Sequence, residues 1–149
     1  MGYASGVGRE APTFILTAAD GNEIDLEQYR GDWFPILVFV PSVSDQAAGE
    51  LAHLSGAAQQ LWGLRGQVIV IYQRHDDVTA TAPTASEFSF PLLPDDGTIA
   101  ASYGARRANG EPQAMAFIVD RSGKIVWTGE GAEALDPAAL IAAFREVVR

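Results

Sequence analysis

The 149-residue sequence contains no cysteine. That single absence excludes disulfides, thiolate metal sites and thiol nucleophiles together. Long apolar runs are missing as well. No stretch reaches 18 apolar residues, and no charged segment followed by an apolar one opens the chain. Neither a spanning helix nor a secretion signal is therefore expected, and a soluble cytoplasmic protein is the default. Positive charge is scarce: 10 Lys and Arg face 19 Asp and Glu, a formal net charge of −9. Such a chain repels phosphate backbones and anionic lipid, so nucleic acid and membrane are not expected partners. The only glycine-rich stretch near the start, "GVG", precedes no helical pattern and is no dinucleotide fingerprint. No metal or cofactor is expected.

What is present reads as one globular domain. Hydrophobic residues make up 48% and charged residues 19% of the chain, an ordinary balance for a packed protein. This length buries roughly 68–70% of the unfolded surface without staples. Residues 1–8 are small and polar and form a loose lead-in to a domain covering 1–149. "TFILTAADGNEIDL" holds two short β-prone pieces around Asp20-Gly21-Asn22, a hairpin signal. "FPILVFV" (34–40) is a continuous apolar run of branched and aromatic residues, as in a strand buried on both faces. Leu51, Leu54, Ala58 and Leu61 then recur at helical spacing, with Gly63 or Gly66 available to end the helix. "QVIVIYQ" (67–73) is a second buried strand, so strand, helix and strand form a right-handed parallel crossover. Further on, "AMAFIVD" and "KIVWTGEG" flank Arg121-Ser122-Gly123 as an antiparallel hairpin. Asp136-Pro137 starts a closing helix whose apolar face is Leu140, Phe144 and Val147. The fold class is α/β: a central mixed β-sheet with helices on both faces and an N-terminal β-hairpin extension.

Three stretches in order resemble one family. "GREAPTFILTAADGNEIDLEQYRGDWFPILVFVP" is similar to the opening of peroxiredoxins, in the alkyl hydroperoxide reductase and thiol-specific antioxidant (redoxin) branch of the thioredoxin-fold superfamily. "FPLLPDDGTIAASYGA" (90–105) resembles that family's F-P-L-L-x-D stretch, whose helix ends in Tyr-Gly. "AFIVDRSGKIVWTGEG" resembles its T-F-x-I-D-x-x-G-x-I hairpin. The likeness spans about residues 6 to 148 and implies a thioredoxin-like fold. It makes a homodimer plausible, because such domains often pair.

The family's activity has to be carried over position by position. In peroxiredoxins the buried strand is followed by Pro-x-x-x-Thr-x-x-Cys, with the cysteine at a helix N-terminus that favours its thiolate. Counting from Pro41 puts the threonine at Asp45 and the cysteine at Ala48. Aligning on Glu50-Leu51 puts them at Ser44 and Ala47. The family's supporting arginine, three residues before the hairpin phenylalanine, corresponds to Ala114. Many thioredoxin relatives carry a cis-proline near that point, and Pro112 is two residues early. The vestigial site is thus Pro41, Ser44, Asp45, Ala47, Ala48 and Ala114. Alanine has no lone pair to attack a peroxide, so thiol-dependent peroxidase and disulfide-exchange chemistry are excluded.

Polar groups could still converge at the carboxyl ends of the two parallel strands, where open α/β sheets bind ligands. The binding candidates there are Asp45, Glu50, Tyr72, Arg74, His75 and Asp76. Each has a plainer role. Ser44 and Asp45 are preferred helix caps, His75-Asp76-Asp77 suits a solvated loop, and Glu50 with His53 forms an i, i+3 surface pair. Trp33, Trp62 and Trp127 read as core or edge residues rather than a stacking platform. Three functions fit. The scaffold could bind a small molecule or a protein partner. A thiol-independent enzyme could use Asp45, Glu50 or His75 for acid–base work. The third is an antioxidant-family oxidoreductase in ancestry alone.

Overall fold

A computed structural model describes residues 8, 10–17, 23–29, 31–40, 45–73, 90, 92–95, 98–104, 114–130 and 136–147, with backbone only at 45–51, 73, 92 and 94. The elements in chain order are β1 (Ile15–Thr17), β2 (Glu23–Asp25), a 3-10 turn (Leu26–Tyr29), β3 (Phe34–Val40), α1 (Asp45–Trp62), β4 (Gly66–Gln73), β5 (Leu92–Asp95), α2 (Thr98–Tyr103), β6 (Met115–Val119), β7 (Ile125–Glu130) and α3 (Pro137–Val147). Strands β1 and β2 make a separate antiparallel pair, and the others form one sheet in the order β5-β4-β3-β6-β7. β3 pairs parallel with β4 and antiparallel with β6, so the sheet is mixed.

Strand β3 is central because its sequence leaves it no other place. Every residue after Phe34 is buried, and a strand without a polar face must be covered twice. Its alternation divides the core. Leu37 and Phe39 point to one face, with Phe14, Leu26, Ala100, Tyr103 and Phe117. Ile36, Val38 and Val40 point to the other, with Leu54, Ala58 and Leu61 of α1 and Leu140 and Phe144 of α3. Helices thus lie on both faces, as the pattern implied. On the first face Tyr103 packs its ring 5.3 Å from Phe39 and 5.2 Å from Phe117. Its hydroxyl donates to the carbonyl of Pro12, tying the segment before β1 to α2. Gly8, the last residue of the expected lead-in, donates its N–H to Ile125 at 2.7 Å.

Most boundaries follow the local chemistry. Asp136 Oδ1 accepts from Ala138 N–H at 3.0 Å, with Pro137 opening α3. Helix α1 ends at Trp62, immediately before Gly63. No glycine takes the left-handed position there; Arg65 does, at φ 73°. Gly66 instead begins β4, one residue earlier than the apolar run suggests.

One element is not apparent from the sequence pattern: β5, which pairs parallel with β4 from Val70↔Leu92 to Gln73↔Asp95. It is four residues long with a proline inside, and both features hide a strand. Pro94 is tolerated because β5 is an edge, where a missing N–H breaks no ladder on the open side.

The β6–β7 turn is held by Asp120, whose Oδ1 accepts from Ser122 N–H at 2.9 Å, Ser122 Oγ–H at 2.6 Å and Lys124 N–H at 2.9 Å. Burial pushes this carboxyl up, but those hydrogen bonds and the Lys124 charge outweigh it, and its pKa is lowered. Among the described residues no helix is long and apolar enough to cross a membrane.

Two tests address this packing. A β-carbon on Gly66 would lie 2.8 Å from Phe144 Cε1 and 3.2 Å from Ile36 Cδ1, whereas one on Gly56, mid-helix in α1, meets nothing within 4 Å. In urea unfolding, Gly66→Ala should cost about 1–3 kcal/mol through overpacking. Gly56→Ala should add about 0.4–1 kcal/mol through helix propensity and a stiffer unfolded chain. The lowered pKa of Asp120 gives a sign as well. Its contribution is complete above the unfolded carboxylate value of about 3.9 and is lost as pH falls through the lower folded value. Asp120→Asn should flatten that part of an acid-denaturation curve and leave the limb above pH 6 unchanged.

Candidate functional site

The carboxyl end of β3 is built by register. Val40, its last residue, lies opposite Tyr72 of β4, and Phe39 lies opposite Met115 at the start of β6. Ala114 directly precedes Met115 and is half-buried. After β3 the chain re-enters described structure at Asp45, the first residue of α1. Ala47 and Ala48 therefore fall in the first turn of that helix, at the same end of the sheet as Tyr72 and Ala114. Both placements of the family's cysteine lead to this turn, where backbone N–H groups lack helical partners.

The candidates divide by what is described. Tyr72 is half-buried and packs towards the α1 and α3 face. Ala114 directly precedes β6. Asp45, Ala47, Ala48 and Glu50 belong to α1 by backbone alone. Pro41, Ser44, Arg74, His75, Asp76 and Pro112 lie outside the described residues. His53, the partner suggested for Glu50, is exposed. At the described edge Val40 and Tyr72 belong to the α1 and α3 face and Met115 to the opposite one, with Val40 and Met115 both buried. Among the described residues no group of three His, Cys, Asp or Glu could hold a metal ion.

One carboxylate on this edge, the aspartate of the F-P-L-L-x-D stretch, was not among the candidates named from the sequence. Asp95, paired with Gln73 across β4–β5, is 3% exposed and is the one buried charged side chain among the described residues. Its Oδ1 accepts from Ile99 N–H at 3.2 Å and its Oδ2 from Ala100 N–H at 3.0 Å. Both oxygens therefore serve the start of α2, and the group holds structure rather than doing chemistry. The signal was an aspartate two residues before Gly97 and the short run Thr98-Ile99-Ala100, which reads as a helix cap. The three tryptophans separate too. Trp127 packs against the α1 and α3 core, whereas Trp62 is 60% exposed and belongs to the surface.

The family profile described as AhpC/TSA matches residues 7–128. The chain belongs to this family. A Mycobacterium tuberculosis protein named as a candidate peroxiredoxin (Rv2521 in strain H37Rv) is 32% identical over 131 residues, covering 80% of this chain and 81% of that protein. Among solved structures, the peroxidoxin BcpB of Mycobacterium tuberculosis superposes with a TM-score of 0.76 at 24% identity, over 97% of this chain and 98% of that one. The bacterioferritin comigratory protein of Xanthomonas campestris gives 0.74 at 15% identity, over 91% and 92%. The thioredoxin-like fold read from the sequence is thus the fold of these neighbours. This member of the AhpC/TSA family has no cysteine anywhere in its sequence.

Restoring sulfur tests what electrostatics the site retains. A helix N-terminus favours a thiolate by about 0.3–1 kcal/mol at exposed positions. Opposing it are the carboxylate Asp45 in the same helical turn and the absence of a guanidinium at Ala114. Ala47→Cys should therefore titrate at or above the free cysteine value of about 8.5, followed by thiolate absorbance at 240 nm. A thiolate forming well below that value would show that the ancestral environment is intact.

Proposed function

We infer that this chain is a peroxiredoxin-like protein that does not act as a thiol peroxidase and uses the inherited scaffold as a binding module. Its ligand is a small, largely apolar molecule or a partner's side chain seated at the carboxyl edge of the sheet. The observation that carries this reading is the combination of a whole family fold with alanine at 47, 48 and 114. Peroxide reduction needs a thiolate lone pair to attack the O–O bond, and a methyl group has none. Loss of the arginine position as well as the sulfur removes the peroxide-orienting charge, so the edge no longer favours an anion or a polarised peroxide. Ala114 and Tyr72, both half-buried, border this edge, and Val40 and Met115 lie buried beneath it on opposite faces of the sheet.

The reading has two arms. Pure metal-free protein should neither consume hydrogen peroxide stoichiometrically nor sustain thioredoxin-coupled turnover. Rapid consumption of one equivalent would overturn the first arm. For the second, a metabolite library should contain compounds that raise the unfolding temperature. At a hundred times the dissociation constant a ligand adds about 2.7 kcal/mol, or roughly 5–10 °C for a chain of this size. Ala114→Arg, which fills the edge, should abolish that gain. Hits unaffected by Ala114→Arg would place the site elsewhere, and a screen without hits would leave the scaffold without the ligand role assigned to it.

A further inference from the structure

The opposite end of the sheet carries a second surface, independent of the carboxyl edge. Three segments meet where β3 begins: residues 31–34, the turn 63–65 after α1, and the β6–β7 turn at 121–123. Their backbones are joined directly. Phe34 N–H donates to the Arg65 carbonyl at 2.9 Å, and Gly31 N–H to the Arg121 carbonyl at 2.8 Å. Above this frame the Trp33 and Trp62 rings lie 5.8 Å apart. The Arg65 guanidinium sits 5.9 Å from the Trp33 ring centre, and that of Arg121 sits 5.4 Å from the ring of Phe34. Trp62 is 60% exposed and Leu64 beside it 48%, two of the three large apolar side chains exposed among the described residues.

Neither packing nor backbone economy accounts for this group. Single exposed apolar residues are ordinary, but contiguous ones flanked by charge mark contact surfaces. Tryptophan and arginine are the residues most enriched at binding hot spots. Arg65 also occupies a left-handed conformation at φ 73°, which glycine would adopt at no steric cost. The sequence places an arginine there all the same.

Charge indicates what fits. In a chain of net charge −9, this surface presents Arg65 and Arg121 beside Asp32, while the neighbouring carboxylate Asp120 is engaged by Ser122 and Lys124 within its own turn. We propose that the Trp33–Trp62–Arg65 surface binds a short linear segment of another protein that carries an apolar side chain flanked by carboxylates. The apolar group stacks on Trp62 and Leu64, and the carboxylates meet the guanidiniums of Arg65 and Arg121. A short segment brings few charges, and at a screening length of about 8 Å in physiological salt the nearby guanidiniums outweigh the distant acidic surface. Nucleic acid is repelled at every phosphate. A second copy of the chain brings nine further negative charges. Two cations are too few to hold an anionic membrane, which takes clusters of four to eight.

The test uses the full chain labelled with nitrogen-15. Its three tryptophans give three indole N–H signals, assigned through Trp33→Phe and Trp62→Phe. The probes are acetyl-Glu-Leu-Phe-Glu-amide and its twin with lysine for glutamate. The acidic peptide should move the Trp33 and Trp62 signals and leave Trp127 unmoved, and the lysine twin should move none. Arg65→Glu should weaken binding at least tenfold, and 0.5 M salt should weaken it several-fold. Arg65→Gly should lose binding while keeping or raising the unfolding midpoint, which separates recognition from a structural role. Equal response to both peptides, or no response, would overturn the proposal. So would movement of the same indoles with protein concentration alone, which would assign the surface to a second copy. None of these outcomes bears on the carboxyl-edge ligand, because Ala114→Arg alters the other end of the sheet.

Discussion

The structure depends on one strand that has no face to show to water. Because β3 is apolar from Pro35 to Val40, it demands a partner on each edge and a cover on each face. The parallel crossover through α1 and the antiparallel return of β6 supply the edges. The covers are α1 with α3 on one side, and α2 with the N-terminal segment on the other. Phe144 lies against the backbone of Gly66, so α3 seats onto the start of β4 as well as onto β3. Each register around β3 is fixed, since a slip by one residue would send Leu37 and Phe39 to the opposite core.

That same register fixes where the chain leaves the sheet. The carboxyl end of β3 is where the crossover leaves the sheet, and the turn into α1 must pass there whatever side chains it carries. The described core contacts of β3 with α1 come from Leu54, Ala58 and Leu61 further along the helix and not from its first turn. An AhpC/TSA family member can therefore lack cysteine and keep the fold. The far end of the sheet is under a different constraint. Turns 31–33, 63–65 and 121–123 are tied together by backbone hydrogen bonds, so the aromatic and cationic side chains they carry are displayed on a rigid frame rather than on independent loops.

The family resemblance and the bottom-up pattern agreed wherever an element was long or strongly patterned. β3, β4, the α1 stripe of Leu54, Ala58 and Leu61, the hairpin at Arg121-Ser122-Gly123 and the Asp136-Pro137 start of α3 each rest on residues adjacent in sequence. β5 escaped because four residues with a proline carry almost no periodic signal, and its pairing with β4 is a contact between distant segments. Asp95 escaped for a related reason. A carboxylate reads as surface until the fold buries it, and only the start of α2 folding back onto β5 supplies the two N–H donors that permit its burial.

What the sequence determined by itself is the chemistry that cannot occur and the framework that must form. The absence of cysteine is a statement about composition and holds in any conformation. The doubly buried strand follows from side-chain polarity alone. What only the tertiary structure decided is which side chains share a surface. Tryptophans 29 residues apart, at 33 and 62, became neighbours, whereas Trp127, with the same composition signal, lies half-buried against the α1 and α3 core. Arg65 took the left-handed turn that a glycine could have filled. Those outcomes depend on how β3, α1 and the β6–β7 turn are brought together, a long-range fact that no local pattern contains.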